Sequence, residues 1–264
     1  MERLNPIVKE VIDIYTTVTK MTEMFSTNPD RAMRGLLVSG TAGAGKTHAV
    51  KTGLAKVSNR VDYVKGSSIT APALFVKLYQ NRTPGSILVL DDVDIVHKSN
   101  AERSTILDLL KGATEPTKNE RILEWARAQR NALMVDNDVP TEFNFEGAII
   151  WITNDTIETI ASKSKSHWNA ISSRFLQIPA WLNEQEKLMY TLYLVEEVGM
   201  LGKDCEAKEG GYSEDVIAKA TEYIRDNYKF MDDITPRVAV AISDIIDNFS
   251  DDWKTYCDIQ FIKL

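Results

Sequence analysis

From Asn5 onward the apolar residues Ile7, Val11, Ile14, Tyr15 and Val18 recur three or four positions apart. That spacing puts them on one face of a helix running to about residue 25. Asn5 suits its cap and Pro6 its first turn. Asn28-Pro29-Asp30 breaks the pattern. The period then changes. A short apolar run at 36–39 predicts a buried strand, and a Gly-rich turn follows. A helix is predicted over about 46–58, a second strand over 60–64 and a second helix over 71–80. Residues 81–85 form a turn before a third apolar run, Ile87-Leu88-Val89-Leu90. A helix over 101–112 puts Ile106, Leu109 and Leu110 on one side. Strands are predicted at 148–152 and 176–178. Beyond Trp181 the pattern is wholly helical, over about 183–198, 213–228 and 235–249, with a short piece near 251–258.

Strands alternating with helices predict an α/β fold with a parallel five-stranded sheet and helices on both faces. The helical remainder predicts a small all-helical lid, so the expected division is 1–181 and 182–264. Residues 119–140 read as a hairpin. No internal repeat or low-complexity linker interrupts the chain.

Composition narrows the class. Of 264 residues, 44% are hydrophobic and 26% charged, ordinary values for a soluble globular protein. No apolar run approaches the roughly 20 residues that span a bilayer. MERLNPIVKE lacks the apolar core of a signal peptide, so a cytoplasmic setting without membrane attachment is expected. Cys205 and Cys257 match neither a metal spacing nor a disulfide framework. The net charge is −7, with 14 acidic and 8 basic residues from 203 to 264. That imbalance argues against coating nucleic acid by bulk electrostatics.

Two motifs carry the chemistry. Gly40-Thr41-Ala42-Gly43-Ala44-Gly45-Lys46-Thr47 fits G-x-x-x-x-G-K-[ST], after a strand and opening a helix. Glycines let backbone N–H groups curl around phosphate, and the helix N-terminus favours the negative charge. Lys46 is expected to face solvent before phosphate arrives and then to neutralise it, while the Thr47 hydroxyl ligates magnesium. His48 follows as a further nucleotide-side residue. The third strand ends in Asp91 and Asp92, with Asp94 close behind. Asp91 is placed to serve the metal, mostly through water. Asp92 is placed to polarise an attacking water. Asp92 and Asp94 also suit capping of the following turn.

With these residues in view, the chain resembles the AAA+ ATPases from about residue 34 to 246. GTAGAGKT is similar to their Walker A and LVLDDVD to their Walker B, with Asp92 where the family usually has Glu. GAIIWITND resembles the sensor 1 strand, with Asn154 at its tip. SSRF resembles the arginine-finger box, which implies Arg174 as the finger, and TPR resembles sensor 2, which implies Arg237. The segment from Val64 to Asp94 is also similar to uncharacterised bacteriophage-encoded members, which implies a host-cytoplasmic setting.

The resemblance implies binding and hydrolysis of Mg-ATP between subunits of a homo-oligomeric ring, often a hexamer. It implies a motor or loader in DNA replication or recombination. A protein-remodelling ATPase and a slow nucleotide-gated assembly switch remain alternatives. Arg121, Trp125, Arg127 and Arg130 mix cations with an aromatic, which would suit a nucleic-acid backbone. The same segment would also suit packing on a neighbour. Lys65-Gly66-Ser67-Ser68 stands where a pore loop is expected and lacks the aromatic of protein-unfolding members. With a single helix before the first strand, target choice is expected to come from loops or from adaptor or target proteins. Trp168 and Trp181 are expected in the core or at an interface.

Overall fold

The structure is a computed structural model that describes residues 4–55, 60–66, 68–126, 131–249 and 251–263. The first helix, α1, runs Pro6–Thr27, with the Ile7 amide donating to Asn5 Oδ1 at 3.0 Å. Strand β1 (Gly35–Gly40), helix α2 (Lys46–Leu54), strand β2 (Val61–Lys65), helix α3 (Ala71–Gln80) and strand β3 (Ile87–Asp91) follow. Helix α4 spans Asn100–Ala113. Then come β4 (Ile122–Glu124), α5 (Ala132–Asp136), β5 (Glu142–Asn144) and β6 (Ala148–Thr153). Helices α6 (Ile157–Lys163) and α7 (Lys165–Arg174) lead into β7 (Phe175–Ala180). The remaining helices are α8 (Glu184–Glu196), α9 (Glu214–Asn227), α10 (Pro236–Asn248) and α11 (Trp253–Phe261). The hairpin expected over 119–140 is corrected: among the described residues of that range only β4 is a strand, its antiparallel partner β5 lies just beyond at Glu142–Asn144, and α5 sits between them.

The chain forms two compact units. One contains Ile14–Gly40 and Lys46–Trp181; the other contains Leu182–Leu264 together with Thr41–Gly45 and the chain up to Asp13. Helix α1 is shared between the two groups.

In the first unit, five parallel strands lie in the order β2-β3-β6-β1-β7. Crossovers between parallel strands are right-handed, so the direction of each step selects the face that its helix covers. The step from β1 back to β2 runs one way, and those from β2 to β3, β3 to β6 and β6 to β7 run the other. Accordingly α3 packs on α4, and α4 on α7. On the α2 side, Thr19 Oγ1 of α1 donates to the Ala49 carbonyl at 3.2 Å. Strands β1, β3 and β6 are buried on both faces and are almost continuously apolar, as a doubly covered parallel sheet requires. Trp151 and Phe75 anchor the core, Phe75 meeting Trp125 at 5.4 Å and Phe143 at 4.9 Å between ring centroids.

In the second unit α10 packs against α8, α9 and α11. Ile242, Ala239, Ala220, Ile224 and Leu201 fill its core. Asn183 forms a reciprocal cap with Glu186 at the start of α8. Both cysteines are buried and free, and burial raises the Cys257 thiol to about 11.

Strand β7 runs so close to β1 that a Cβ on Gly40 would lie 2.2 Å from the Ala180 carbonyl oxygen. That neighbour is backbone and part of the strand ladder, so it has little room to yield. Gly40→Ala is expected to destabilise the protein by about 1–3 kcal/mol, the usual cost of overpacking. Thermal unfolding followed by circular dichroism checks this; an unchanged midpoint would mean that the two strands are not held this close.

Candidate nucleotide site

Strands β1, β3 and β6 end at Gly40, Asp91 and Thr153. Their parallel register brings these ends together, and connections leave β1 and β6 in opposite directions. Such a switch point is where open α/β sheets place their ligands. Lys46 and Thr47 open α2 beside it.

The polar side chains here join in two sets of contacts. Lys46 Nζ donates to the Gly40 carbonyl and to Asn154 Oδ1, both at 2.8 Å. Asn154 Nδ2 donates at 2.8 Å to Asp92 Oδ1. Separately, Thr47 Oγ1 donates at 2.8 Å to Asp91 Oδ1. The expectation that Lys46 faces solvent is not met, since it is only 6% exposed. The oxygens at the strand ends solvate its ammonium in place of water, which a buried charge requires.

The two adjacent carboxylates point apart because Asp91 ends β3 and the backbone turns at Asp92. Asp91 is 8% exposed and points to Thr47. Asp92 is exposed and points to Asn154. Its φ of 55° lies in the left-handed region, where Asp is tolerated better than most residues. Its amide donates to the Ile152 carbonyl at 3.0 Å, tying the turn to β6. Asp94 Oδ1 accepts from the His97 amide at 3.0 Å and caps the turn. Burial, with a smaller contribution from Asp91, raises the phenol of Tyr63 on β2 above its ordinary value.

The glycine-rich loop Thr41–Gly45 groups with the helical unit. Gly43 and Gly45 have φ of 69° and 107°, which other residues adopt only with strain. Thr41 Oγ1 accepts from the Leu182 amide at 2.9 Å. A Cβ on Gly43 would lie 3.2 Å from Thr235 Oγ1 and 3.6 Å from Arg237 Cβ, so the turn lies against the start of α10. Thr235 caps α10, and Arg237 in its first turn is exposed. Ala42 and His48 are exposed, while Ala44 is buried.

The remaining candidates lie elsewhere in the sheet unit. Arg174 ends α7, where Nε and Nη2 donate to Glu115 Oε2 at 3.1 and 2.5 Å. Glu115 carried no sequence signal, being a lone acid after a helix. Arg121 and Trp125 are 2% and 5% exposed. Arg121 donates to the Glu115 and Pro116 carbonyls and to Glu146, and Trp125 packs on Phe75. The reading of these two as a nucleic-acid track is therefore corrected: both are structural. Arg127 and Arg130 lie outside the described residues, as does Ser67 of the expected pore loop. Trp168 is half-buried against the core, and Trp181 Nε1 donates to Ser39 Oγ at 3.2 Å.

Among the described residues no group of three or more His, Cys, Asp or Glu side chains could enclose a metal. One hydroxyl and one carboxylate, Thr47 and Asp91, fit magnesium, which keeps several waters and takes few protein ligands. Among the described residues no helix is long and apolar enough to cross a membrane.

Comparisons with known proteins agree with this geometry. An uncharacterised 36.7 kDa protein of Enterobacteria phage T4, from the nrdC-mobD intergenic region, is 28% identical over 229 residues. The match covers 84% of this chain and 66% of that protein, so the chain spans just under two thirds of its relative's length. Among solved structures, a point mutant of RuvB from Thermotoga maritima superposes with a TM-score of 0.50 at 11% identity. The superposition covers 98% of this chain and 70% of that one, a likeness of fold alone. The replication initiator DnaA bound to AMPPCP and single-stranded DNA gives a TM-score of 0.48 at 13% identity, covering 92% and 63%. The sequence profile described as the ATPase family associated with various cellular activities (AAA) matches residues 36–175, more than half of the chain. With the fold, the strand-end chemistry and that match in agreement, the chain belongs to the AAA family of ATPases.

Proposed function

We propose that this ATPase binds Mg-ATP at the ends of β1, β3 and β6 and hydrolyses it with Asp92 as the water-polarising carboxylate. The observation that carries this reading is the Asn154 amide, which holds Lys46 on one side and Asp92 on the other. Residues 40–48 would bind the nucleotide. Its phosphate oxygens would replace Gly40 and Asn154 as acceptors for Lys46, keeping the ammonium solvated. Asn154, released from the lysine, keeps its hold on Asp92 and orients that carboxylate toward water. Thr47 and Asp91 would hold magnesium, which would neutralise phosphate charge when bound. The proposed division is a nucleotide-binding domain, 1–181, and a helical lid domain, 182–264, with Arg237 as the sensor arginine of the second. Arg174 would act across a subunit boundary, because a fixed, forked positive charge suits the charge spread over a transferring phosphoryl group. The implied assembly is a homo-oligomeric ring, taken as a hexamer, in the cytoplasm of a phage host.

For the work that hydrolysis drives, the reading is a motor or loader on DNA. Its support is the sequence Lys65-Gly66-Ser67-Ser68, which has no aromatic for gripping a polypeptide and in which Lys65 and Ser68 are exposed. ATPase rates with single-stranded DNA, duplex DNA and an unfolded protein test it. Stimulation by DNA alone is expected; stimulation by the unfolded protein alone would transfer the reading to protein remodelling.

Lys46→Ala is expected to abolish ATP binding while the fold survives. Fluorescent-nucleotide titration checks it, and affinity within a few-fold of wild type would end the phosphate-binding assignment.

Asp91→Asn and Asp92→Asn should fail differently. The first removes charge beside the proposed metal, so Mg-ATP affinity should fall together with turnover. The second keeps a side-chain oxygen for Asn154 but loses basicity, so ATP should bind and turnover should drop about 10²–10⁴-fold. Wild-type turnover in Asp92→Asn would reduce Asp92 to a turn residue.

A further inference from the structure

We propose that Glu115 is a positioning residue that holds Arg174 withdrawn and charge-paired within its own subunit, so that finger action requires exchange of this carboxylate for phosphate. This rests on the reading of Arg174 as the finger.

The contact is built to keep Glu115 still. It follows the C-cap Thr114, whose hydroxyl donates to the Leu110 carbonyl at 2.7 Å. The Glu115 amide donates to the Gly112 carbonyl, and its own carbonyl accepts from Arg121 Nε at 2.7 Å. Its carboxylate takes the Thr117 amide on Oε1 and Arg174 on Oε2. The hydrogen bond from Arg174 outweighs desolvation and holds this carboxyl below the usual range. Farther along the same two helices, Ser104 Oγ meets His167 Nε2 at 2.9 Å, so α4 and α7 are clipped in a fixed register. The long Arg174 side chain is the part that can move.

Arg174 has Nε and Nη2 on Glu115, and Nη1 on the Ala170 carbonyl at 3.2 Å. All three of its nitrogens are engaged, and the carboxylate cancels most of its charge. A transferring phosphoryl group needs that charge and those donors free. The side chain is 25% exposed, within reach of an incoming partner. Phosphate oxygens, more highly charged and equally suited to a forked donor, are a competent replacement for the carboxylate. Loss of Glu115's charge should therefore speed the chemical step without touching nucleotide binding.

The test compares four purified full-length chains at saturating Mg-ATP: wild type, Glu115→Gln, Arg174→Ala and the double variant. Glu115→Gln leaves the backbone bond to Arg121 intact. It is expected to raise kcat roughly two- to fivefold, the range of a partly exposed ion pair, with the Kd for a fluorescent ATP analogue unchanged. In the Arg174→Ala background the same substitution should change nothing. Arg174→Ala at the wild-type rate would remove the finger reading itself. Arg174→Ala nearly inactive, with Glu115→Gln at or below the wild-type kcat, would overturn the latch alone. If Glu115→Gln lowers the unfolding midpoint, Glu115→Asp, which withdraws the carboxylate by one methylene, must give the same rise in kcat.

Discussion

A buried ammonium has to be surrounded by oxygen, and much of the nucleotide end of this fold answers that requirement at Lys46. The lysine opens α2 directly after the glycine-rich loop, so its amine returns to the end of β1 and meets the Gly40 carbonyl. A second oxygen has to come from the neighbouring strand. Because β6 pairs with β1 in parallel register, the residue just past its end, Asn154, supplies it. A carboxamide carries a donor as well as an acceptor. Once Oδ1 is committed to Lys46, Nδ2 is free to hold Asp92. One small side chain therefore links Lys46, the proposed phosphate group, to Asp92, the proposed water group.

The backbone at Asp92 follows from the same crowding. Asp91, the last residue of β3, turns inward to Thr47. The chain turns at once, with φ at 55° and the amide of Asp92 held by the Ile152 carbonyl. A residue there carries a left-handed penalty of about 1–2 kcal/mol, smaller for Asp than for longer side chains. That gives a local reason for Asp at this position. The shorter acid tolerates the turn, and Asn154 reaches far enough to hold it.

Most of the sheet was readable because its strands are short, continuous apolar runs, and the boundaries of α3 match the periodicity residue for residue. Lys46, Thr47 and Asp91 were legible from motif spacing beside a strand, and Asn154 from the resemblance of GAIIWITND to a sensor 1 strand; the structure brings all four to the strand ends. Helices α6 and α7 escaped because their sequences are polar and carry only one buried apolar residue each, Ile160 and Ile171. The burial of Lys46 escaped because one of the oxygens around it, on Asn154, lies far away in sequence. Arg121 and Trp125 misled because a mixture of cations and aromatics looks alike whether it faces solvent or core.

The opposite end of the sheet explains that last error. Arg34 precedes β1 and Glu146 lies just before β6, with Arg31 and Arg121 close enough that like charges act on one another. Burial, then Arg34 and Arg121, lowers the Arg31 guanidinium to about 9. These arginines bind backbone carbonyls at Asn28, Glu146, Glu115 and Pro116, as well as the Glu146 carboxylate. Removing one partner from such a network leaves a buried charge uncompensated, so breaking these contacts is costly. At the nucleotide end the proposed function has phosphate take the place of the oxygens around Lys46. Arg174 stands between the two regimes. Its partner Glu115 is fixed by the buried network through Arg121, while its own side chain is long, partly exposed and held by one carboxylate and one carbonyl. Nothing in the local sequence around these arginines tells them apart; burial does, since Arg31, Arg34 and Arg121 are 9%, 2% and 2% exposed and the Arg174 side chain is 25% exposed.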